Sequence, residues 1–358
     1  MHISKLSIDH LRNISHADIA LSPALNLIYG DNGAGKSSIL EGIYLLARAR
    51  SFRNTQTKSL VQTGAKAVSL FTEVVHGNGA VNKIGLRKQG SLTDIKVNGR
   101  QINRLSELVT TLNVSLVTPQ THRIIEEGPE YRRRLLNWGV FHVEHNFRQT
   151  VSNYNRILAQ RNAALKAKHS NVEIWDEQLS SYADEINVHH QRYIESWVKH
   201  IKSLSRGIHY LDALRLSYQR GWDRDYSLKD QLKTKLSLDR GRGFTSVGPH
   251  RSDIQIKIGD RVAREVLSRG QQKMLMIIFL LAQTRLMSQV VGESAVFLID
   301  DFHSELDRHA QARVIEMISE QKCQAVISTI DSNALTGEER EPGASMFHVE
   351  HGAVQKIS

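Results

Sequence analysis

The class of this chain is indicated by one segment near its N-terminus, Ile28-Tyr29-Gly30-Asp31-Asn32-Gly33-Ala34-Gly35-Lys36-Ser37-Ser38. The segment contains the pattern G-x-x-x-x-G-K-S. An apolar run, Leu25–Ile28, precedes it, and a helical pattern of apolar residues follows it. A strand, a glycine-rich loop and a helix in this order are the context that a phosphate-binding loop requires. The segment therefore predicts an α/β nucleotide-binding fold.

The residue types of this loop suit phosphate chemistry. Its glycines allow backbone N–H groups to turn towards phosphate oxygens, and the helix that follows adds the positive end of its dipole. Lys36 supplies a cation for the β- and γ-phosphates, and the Ser37 hydroxyl is a candidate magnesium ligand. The alternative, a glycine turn with a chance Lys-Ser pair, does not account for the flanking pattern. We expect nucleotide contacts from Gly30, Asp31, Asn32, Gly33, Ala34, Gly35, Lys36, Ser37 and Ser38.

Composition limits the class of protein. A length of 358 residues is sufficient for two domains, and 40% hydrophobic residues is ordinary for a globular protein. The net charge of +10 and a pI near 9.6 point to an anionic partner such as nucleic acid, or to a charged, solubilising surface. Composition alone leaves both possibilities open.

The cell compartment follows from three further features. A single cysteine, Cys323, excludes a disulfide framework and fits a reducing compartment. The N-terminus starts in an alternating pattern that is not typical of a signal peptide. The longest apolar run, Met274–Ala282, is shorter than a bilayer requires and predicts a buried helix. We expect a cytoplasmic protein with no membrane anchor.

Strand patterns dominate the first part of the chain. The alternation in 1–29 predicts strands that lead into the phosphate loop, and Arg12-Asn13 lies at their first turn. These two side chains either reach the nucleotide or are solvated. Asn78-Gly79 and Asn98-Gly99 predict hairpins, because both residue types tolerate the positive φ of a type I′ turn. A further strand is expected at 113–118.

Composition changes after Arg123. Gly and Pro nearly vanish after Gly139, and Trp175, Leu179, Ala183 and Ile186 form an apolar helical stripe typical of core packing. The same region is basic, which predicts either DNA contact or a solvated face; its cations are Arg132, Arg133, Arg134, Arg148, Arg156, Arg161, Lys166 and Lys168. The predicted domains are an N-terminal part of lobe I at 1–122, a helical lobe II at 123–212, and the rest of lobe I at 213–358.

Two further motifs lie in the last third of the chain. Leu267–Lys273 precedes an apolar helix, and Ser268 and Gly270 in it suit an anion site at a helix N-terminus, or a plain N-cap. The apolar run that starts at Ala295 ends in two carboxylates, Asp300 and Asp301, and fits a strand buried on both faces.

These carboxylates are the predicted hydrolytic groups. Asp300 would lie beside Ser37 and hold magnesium, usually through water, and Asp301 would orient or deprotonate the attacking water. A further strand is predicted at 324–329. Its end carries Ser328, Thr329 and Asp331, and a resemblance to the layout of ABC-type ATPases would imply that one of them senses the γ-phosphate.

Together these motifs resemble the bacterial RecF family of recombination mediators, in the SMC-like branch of the ABC-type ATPases. Leu-Ser-x-Gly-Gln is the signature sequence of that superfamily. The resemblance covers nearly the whole chain, and the motifs that carry it are Leu11-Arg12-Asn13, Gly30–Ser37, Arg50–Arg53, Gly128–Arg133, Gly248–Arg251 with Asp253, Leu267–Lys273 and Asp300–Asp307.

The resemblance implies an ABC-type P-loop ATPase head. Its α/β fold has a mixed sheet with flanking helices, N-terminal antiparallel strands and an inserted, mainly helical lobe. Two heads would enclose two ATP molecules with Mg²⁺, so that Ser268 and Gly270 of one copy face the γ-phosphate held by Lys36 of the other. Gln271 and Asp307 would add nucleotide contacts, and Gln120 is the candidate glutamine-loop sensor, although the family usually has Pro-Glu there. The implied catalytic set is Lys36, Gln120 and Asp301.

The resemblance also implies a function. It predicts an ATP-gated homodimer on double-stranded or gapped DNA. Slow, DNA-stimulated hydrolysis would release the dimer, and RecO and RecR would act with it to load RecA at stalled forks. A transporter ATPase would need a short span between loop and signature and a switch histidine, and a small-molecule kinase would not need the signature. The alternative is an ABC-type ATPase subunit of another system, either a transporter or an SMC-like chromosome protein.

Overall fold

The computed structural model describes residues 1–53, 59–102, 105–144, 146–331 and 343–357. Packing divides the chain into two compact units. Unit 1 comprises Met1–Thr121 and Arg269–Ser358, and unit 2 comprises His122–Ser268.

The strands and helices are numbered in chain order. The strands are β1 (His2–Leu11), β2 (Ile14–Ala20), β3 (Leu25–Tyr29), β4 (Val68–Val75), β5 (Val81–Gln89), β6 (Leu92–Val97), β7 (Arg100–Gln101), β8 (Val114–Val117), β9 (Leu214–Gln219), β10 (Asp253–Ile258), β11 (Arg261–Val262), β12 (Val296–Ile299), β13 (Ala325–Thr329), β14 (Ser345–Glu350) and β15 (Ala353–Lys356). The helices are α1 (Lys36–Arg48), α2 (Leu105–Thr111), α3 (Arg123–Glu126), α4 (Pro129–Val143), α5 (Phe147–Lys166), α6 (Asp176–Leu204), α7 (Leu228–Thr234), α8 (Leu236–Arg242), α9 (Ala263–Val266), α10 (Arg269–Val291) and α11 (Arg308–Glu320).

The first sheet of unit 1 is antiparallel and has the order β2-β1-β4-β5-β6-β7. Both predicted Asn-Gly hairpins are present in it. Asn98 and Gly99 join β6 to β7 as a two-residue turn with φ of 51° and 80°, as the type I′ prediction requires. Asn78-Gly79 lies in a longer loop, because Val75 pairs with Val81. Only Gly79 of that pair has a positive φ, so the predicted hairpin is present but its turn is not of type I′.

The second sheet of unit 1 positions the functional residues. Its order is β15-β14-β3-β13-β12-β8, and all neighbours except β15 and β14 are parallel. Every residue of β12 is buried, as its apolar run predicts for a strand covered on both faces. Because the strands are parallel, the carboxyl ends of β3, β12 and β13 lie at one edge of the sheet, where ligands bind in such folds.

Helix α10 is a long and apolar helix of unit 1. Its 23 residues include an 18-residue window of mean hydropathy 1.7, so length and composition alone would allow it to cross a membrane. The length argument from the shorter run Met274–Ala282 was therefore wrong. Of that window, 72% is buried inside the protein, which agrees with the predicted buried helix.

Unit 2 contains more than the predicted helical insert. Its three-stranded sheet, ordered β11-β10-β9, packs β10 on α4 and β9 on α6. A small sheet of this kind cannot bury its own apolar face, so residues 213–268 pack with the helices. The predicted end of lobe II at residue 212 therefore differs from the observed unit, which continues to Ser268. The apolar stripe of α6 is buried as expected.

A buried ion triad joins three helices of unit 2. Arg161 of α5 is 0% exposed; its Nε donates to Asp176 of α6 at 2.8 Å, and its Nη1 contacts Asp239 of α8 at 3.1 Å. The same Nη1 also donates to the Thr245 hydroxyl at 2.9 Å. Such a triad requires every partner, because removal of one leaves a buried charge uncompensated.

Two histidines of unit 2 are expected to make its stability dependent on pH. His190 lies between the Tyr218 hydroxyl and Asn137 Oδ1, at 2.8 Å from each. His250 accepts from the Tyr154 hydroxyl and donates to the Thr245 carbonyl. Burial lowers the pKa of His190 to about 3 and that of His250 to about 4.

Both folded-state pKa values lie below the unfolded value near 6.5, so the unfolded chain binds more protons as pH falls from 6.5 towards 4. We expect unit 2 to lose roughly 1 kcal/mol per histidine by pH 5.5. Urea denaturation at pH 7.5 and 5.5 measures the loss. His209→Gln, at a side chain 95% exposed, is the control, and a constant free energy of unfolding would contradict the prediction.

Candidate functional site

The loop between β3 and α1 has the geometry of a phosphate cradle. Gly30 has a φ of 150°, and a Cβ there would lie 2.1 Å from the Val349 carbonyl oxygen, so only glycine fits. Helix α1 begins at Lys36, and Gly35 before it gives no side-chain cap. The first N–H groups of the helix therefore remain available to an anionic ligand.

Lys36 lies over this loop. Its Nζ donates to the carbonyl oxygens of Gly30 at 2.7 Å and Asp31 at 2.8 Å. Burial lowers the pKa of Lys36, and the nearby Asp301 and Asp300 oppose that shift. The ammonium group is thus close to both the loop and the carboxylates.

A cleft of about 620 Å³ lies over the loop, a size that suits a small ligand. The predicted site residues that line it are Arg12, Asn13, Asn32, Gly33, Gly35, Lys36, Ser37, Ser38, Gln120, Asp300, Asp301 and Ser328. Phe52, Arg53, Thr118 and Pro119 also line it. The sequence indicates no role for Phe52, Thr118 and Pro119. Arg53, in the Arg-Ser-Phe-Arg motif, is one of three arginines after the first helix that could bind phosphate, DNA or neither.

The donor atoms in the cleft fit magnesium bound with a nucleotide. Ser37 and Asp300 offer a hydroxyl and a carboxylate, the oxygen ligands that Mg²⁺ prefers. Among the described residues no group of three or more His, Cys, Asp or Glu side chains forms a metal site. The remaining ligands would therefore be phosphate oxygens and water, which is usual for magnesium in phosphoryl-transfer sites.

Ser328 contacts both of the aspartates that follow β12. Its hydroxyl donates to Asp300 Oδ1 at 2.8 Å and accepts from the Asp301 N–H at 2.9 Å. Asp301 has a φ of 54°, an uncommon backbone conformation for a residue other than glycine. Of the three sensor candidates, only Ser328 lines the cleft; Thr329 is fully buried and Asp331 is half-buried.

Arg12 and Asn13 support the loop and its helix. The Arg12 guanidinium donates to the two carboxylate oxygens of Glu41 in α1, from Nε at 2.7 Å and from Nη2 at 2.8 Å. These hydrogen bonds raise the pKa of Arg12. Asn13 Nδ2 donates to the carbonyl oxygens of Gly33 and Ala34. Both residues line the cleft, and their direct contact with a nucleotide stays a prediction. Glu41 is fully buried. The sequence signal for such a residue is a single acid within the apolar pattern of a helix, because a buried carboxylate requires a partner.

The signature segment packs against the turn that follows β12. A Cβ on Gly270 would lie 2.3 Å from the Glu305 carbonyl oxygen, so only glycine permits this approach. Lys273, which is 1% exposed, donates its Nζ to the carbonyl oxygens of Asp301 at 3.0 Å and Ser304 at 2.6 Å. Burial lowers the pKa of Lys273. The sequence pattern gives this lysine no role.

Other predicted nucleotide contacts lie outside the cleft of their own chain. Gly270 and Gln271 belong to the first turn of α10 and do not line the cleft, and Ser268 immediately precedes this helix. Asp307 caps α11, because its carboxylate accepts from the Ala310 N–H at 2.8 Å. Their roles towards a nucleotide remain predictions.

Comparison with known proteins agrees with this fold and site. Residues 2–354 match the family described as "RecF/RecN/SMC N terminal domain". Two relatives are each named "DNA replication and repair protein RecF". The one from Stutzerimonas stutzeri is 35% identical over 100% of this chain and 98% of its own length, and the one from Shewanella loihica is 34% identical over 100% of both.

Solved structures show the same class. The recombination mediator protein RecF bound to ATP, in the RecFOR pathway, matches with a TM-score of 0.84 and 27% identity over 100% of this chain and 98% of its own. An SMC head bound to the C-winged helix domain of ScpA matches with a TM-score of 0.61 and 16% identity, over 100% of this chain and 97% of its own. The predicted SMC-like ATPase head is confirmed. The chain belongs to the RecF family of bacterial recombination mediators.

Proposed function

We propose that this chain is an ATPase of DNA repair and recombination whose ATP-bound form is a head-to-head homodimer on DNA. One observation carries the proposal. The cleft gathers Lys36, Ser37, Asp300 and Asp301 in one unit, whereas Gly270 of the signature lies outside that cleft. A second anion site of this kind serves a nucleotide held by another copy of the chain.

Within one cleft, the chain's own residues have separate tasks. Lys36 and the first N–H groups of α1 bind the β- and γ-phosphates, while Ser37 and Asp300 hold Mg²⁺. Magnesium supplies charge neutralisation of the phosphates when it is bound. Asp301 orients the attacking water and accepts its proton, and Ser328 fixes the backbone of Asp301 through a hydrogen bond.

Between two copies, ATP acts as a removable link. Ser268 and Gly270 of one copy bind the γ-phosphate held by Lys36 of the other, so ATP stabilises the dimer and hydrolysis releases it. The hydrolysis is slow and is stimulated by DNA, since it times release. The net charge of +10 suits a nucleic-acid partner.

The biological setting follows from the relatives. A solved relative is described as a recombination mediator in the RecFOR pathway. By analogy, RecO and RecR are the protein partners, double-stranded or gapped DNA is the substrate surface, and the protein acts in the cytoplasm. There it assists the loading of RecA at stalled replication forks.

Sedimentation with and without ATP, Mg²⁺ and duplex DNA tests the proposal. The unmodified protein is expected to dimerise only with ATP and to bind DNA only as the dimer. Ser268→Arg is expected to weaken the ATP-dependent dimer by about tenfold or more, because a bulky cation at the start of α10 blocks the approach of the second copy. Its nucleotide affinity as a monomer stays near the unmodified value.

The control is Ser294→Arg, a substitution of the same type in unit 1, just beyond the other end of α10. It is expected to leave dimerisation intact. An undiminished ATP-dependent dimer of Ser268→Arg would contradict the proposed contact, and an ATP-independent oligomer would contradict the switch.

A further inference from the structure

The basic residues of the predicted DNA-contact region fall into two groups. Several are occupied by partners within unit 2, and these are Arg132 with Asp253, Arg133 with the Ser252 carbonyl, Arg134 with Glu130, and Arg161 in the ion triad. Arg148, Arg156 and Lys166 are exposed instead. Among residues in the described ranges, none of these three has a carboxylate within 4 Å. Their charge is available to an anionic ligand.

These three cations lie on one side of α5. Its 20 residues contain no acidic side chain. At 100° per residue, Arg148 and Lys166 point in about the same direction and Arg156 about 80° away. The opposite side of the helix is buried through Tyr154 and Ile157. With a rise of about 1.5 Å per residue, the three charges span about 27 Å.

The remaining exposed positions of α5 identify the kind of ligand. They carry only small or amide side chains, namely Gln149, Ser152, Asn155, Ala159, Gln160 and Ala163. The exposed positions of α5 carry no aromatic platform for unpaired bases and no large apolar side chain of the kind that inserts into membranes or anchors protein interfaces. Amide donors and cations on a smooth surface suit phosphates of a duplex, whose backbone needs no pocket.

The basic surface continues beyond the end of α5. A Cβ on Gly243 would lie 3.3 Å from Cγ of Lys166, so the end of α8 lies beside the end of α5. Lys168 and Arg242 are exposed there. Arg240, also exposed, donates to the Ser170 carbonyl at 2.8 Å.

We propose that the exposed side of α5, from Arg148 to Lys166, binds the phosphate backbone of duplex DNA without reading sequence. The inference rests on the proposed function, in which DNA is the partner of this chain. A span of about 27 Å corresponds to roughly eight phosphates along one strand of B-DNA. The contact is electrostatic, so it depends steeply on salt concentration.

The test is the salt dependence of duplex binding by the full chain with ATP and Mg²⁺. The triple variant Arg148→Gln, Arg156→Gln and Lys166→Gln is compared with the unmodified protein on a blunt duplex of random sequence. Loss of three phosphate contacts is expected to lower the slope of log K against log salt by roughly 2.7, with a loss of affinity of about 10²- to 10³-fold at 0.1 M salt.

The matched control removes the same net charge from α6, through Arg192→Gln, Lys199→Gln and Lys202→Gln. These three side chains are exposed, and their helix also carries acidic residues. An unchanged slope in this control supports the inference, whereas an equal loss in both variants would show only an effect of net charge and overturn it. Arg148→Lys with Arg156→Lys keeps the charge and is expected to keep the slope.

The remaining outcomes separate this inference from the proposed function. Absence of duplex binding by the unmodified protein would reject DNA as the partner and therefore the proposed function. Normal duplex binding by the α5 triple variant would overturn the inference alone. A variant that loses a protein partner but keeps its salt slope would assign the α5 surface to that partner and overturn DNA binding there. Urea denaturation of the triple variant, followed by the tryptophan fluorescence of unit 2, should be unchanged and reports that the fold around α5 is intact.

Discussion

Asp301→Asn is expected to slow ATP hydrolysis by about 10²- to 10⁴-fold while nucleotide affinity stays close to the unmodified value. The amide cannot accept the proton of the attacking water, but it keeps the size of the side chain. Asn also tolerates the left-handed backbone, so the φ of 54° at this position should persist. Single-turnover hydrolysis measures the chemical step.

The same substitution is expected to prolong the ATP-dependent dimer, because release then waits for slower hydrolysis. Glu305→Gln is the matched control, since Glu305 is an exposed acid with a φ of 66° in the same turn and does not line the cleft. It should retain normal turnover. If Asp301→Asn hydrolyses ATP at the unmodified rate, another group is the base.

Arg161→Ala is expected to destabilise unit 2 by about 3 to 5 kcal/mol. It removes the only cation of the triad and leaves Asp176 and Asp239, 2% and 0% exposed, without their partner. Burial already raises the pKa of Asp176, with the Arg161 hydrogen bond opposing the shift. Urea denaturation at pH 7.5 measures the loss and is followed by tryptophan fluorescence, since all four tryptophans of the chain lie in unit 2.

Two controls test the cause of this destabilisation. Arg156→Ala, on the exposed side of the same helix, should change the free energy of unfolding by less than about 0.5 kcal/mol. The loss caused by Arg161→Ala should shrink when Asp176→Asn and Asp239→Asn accompany it, because no buried charge then remains. A loss below about 1 kcal/mol for Arg161→Ala alone would show that water or the backbone compensates the carboxylates.

The sequence predicts which residues lie at the centre of the cleft. Each motif is placed at the end of a predicted strand, and a parallel sheet brings those strand ends together. Lys36 and Asp300 each follow an apolar strand and Ser328 lies at the carboxyl end of β13, and parallel strands bring their carboxyl ends to one edge. The positions of these three residues were therefore predictable. The choice of Ser328 over Thr329 was not predictable, because these neighbours in β13 point to opposite faces and the sequence does not show which of them faces the cleft.

Contacts between distant segments could not be predicted in this way. Glu41 and Arg12 pair across 29 residues, and neither sequence pattern specifies the other. The predicted end of lobe II at residue 212 differs from the end of unit 2 for a related reason. The strand patterns after residue 212 do not indicate which of the two units they belong to. The basic residues were identified from composition, but the sequence does not separate Arg161, fully buried, from the exposed Arg156.

Lys273 fixes how the first turn of α10 can move. Its ammonium group is enclosed by protein, and its two described acceptors are the Asp301 and Ser304 carbonyl oxygens. If the helix shifted without the turn after β12, a cation would lose both acceptors where water cannot replace them, at a cost of several kcal/mol. The helix and the turn must therefore be displaced together. A displacement of the start of α10 therefore also displaces the backbone of Asp301. A contact made at the signature segment would in this way change the position of the aspartate in the cleft.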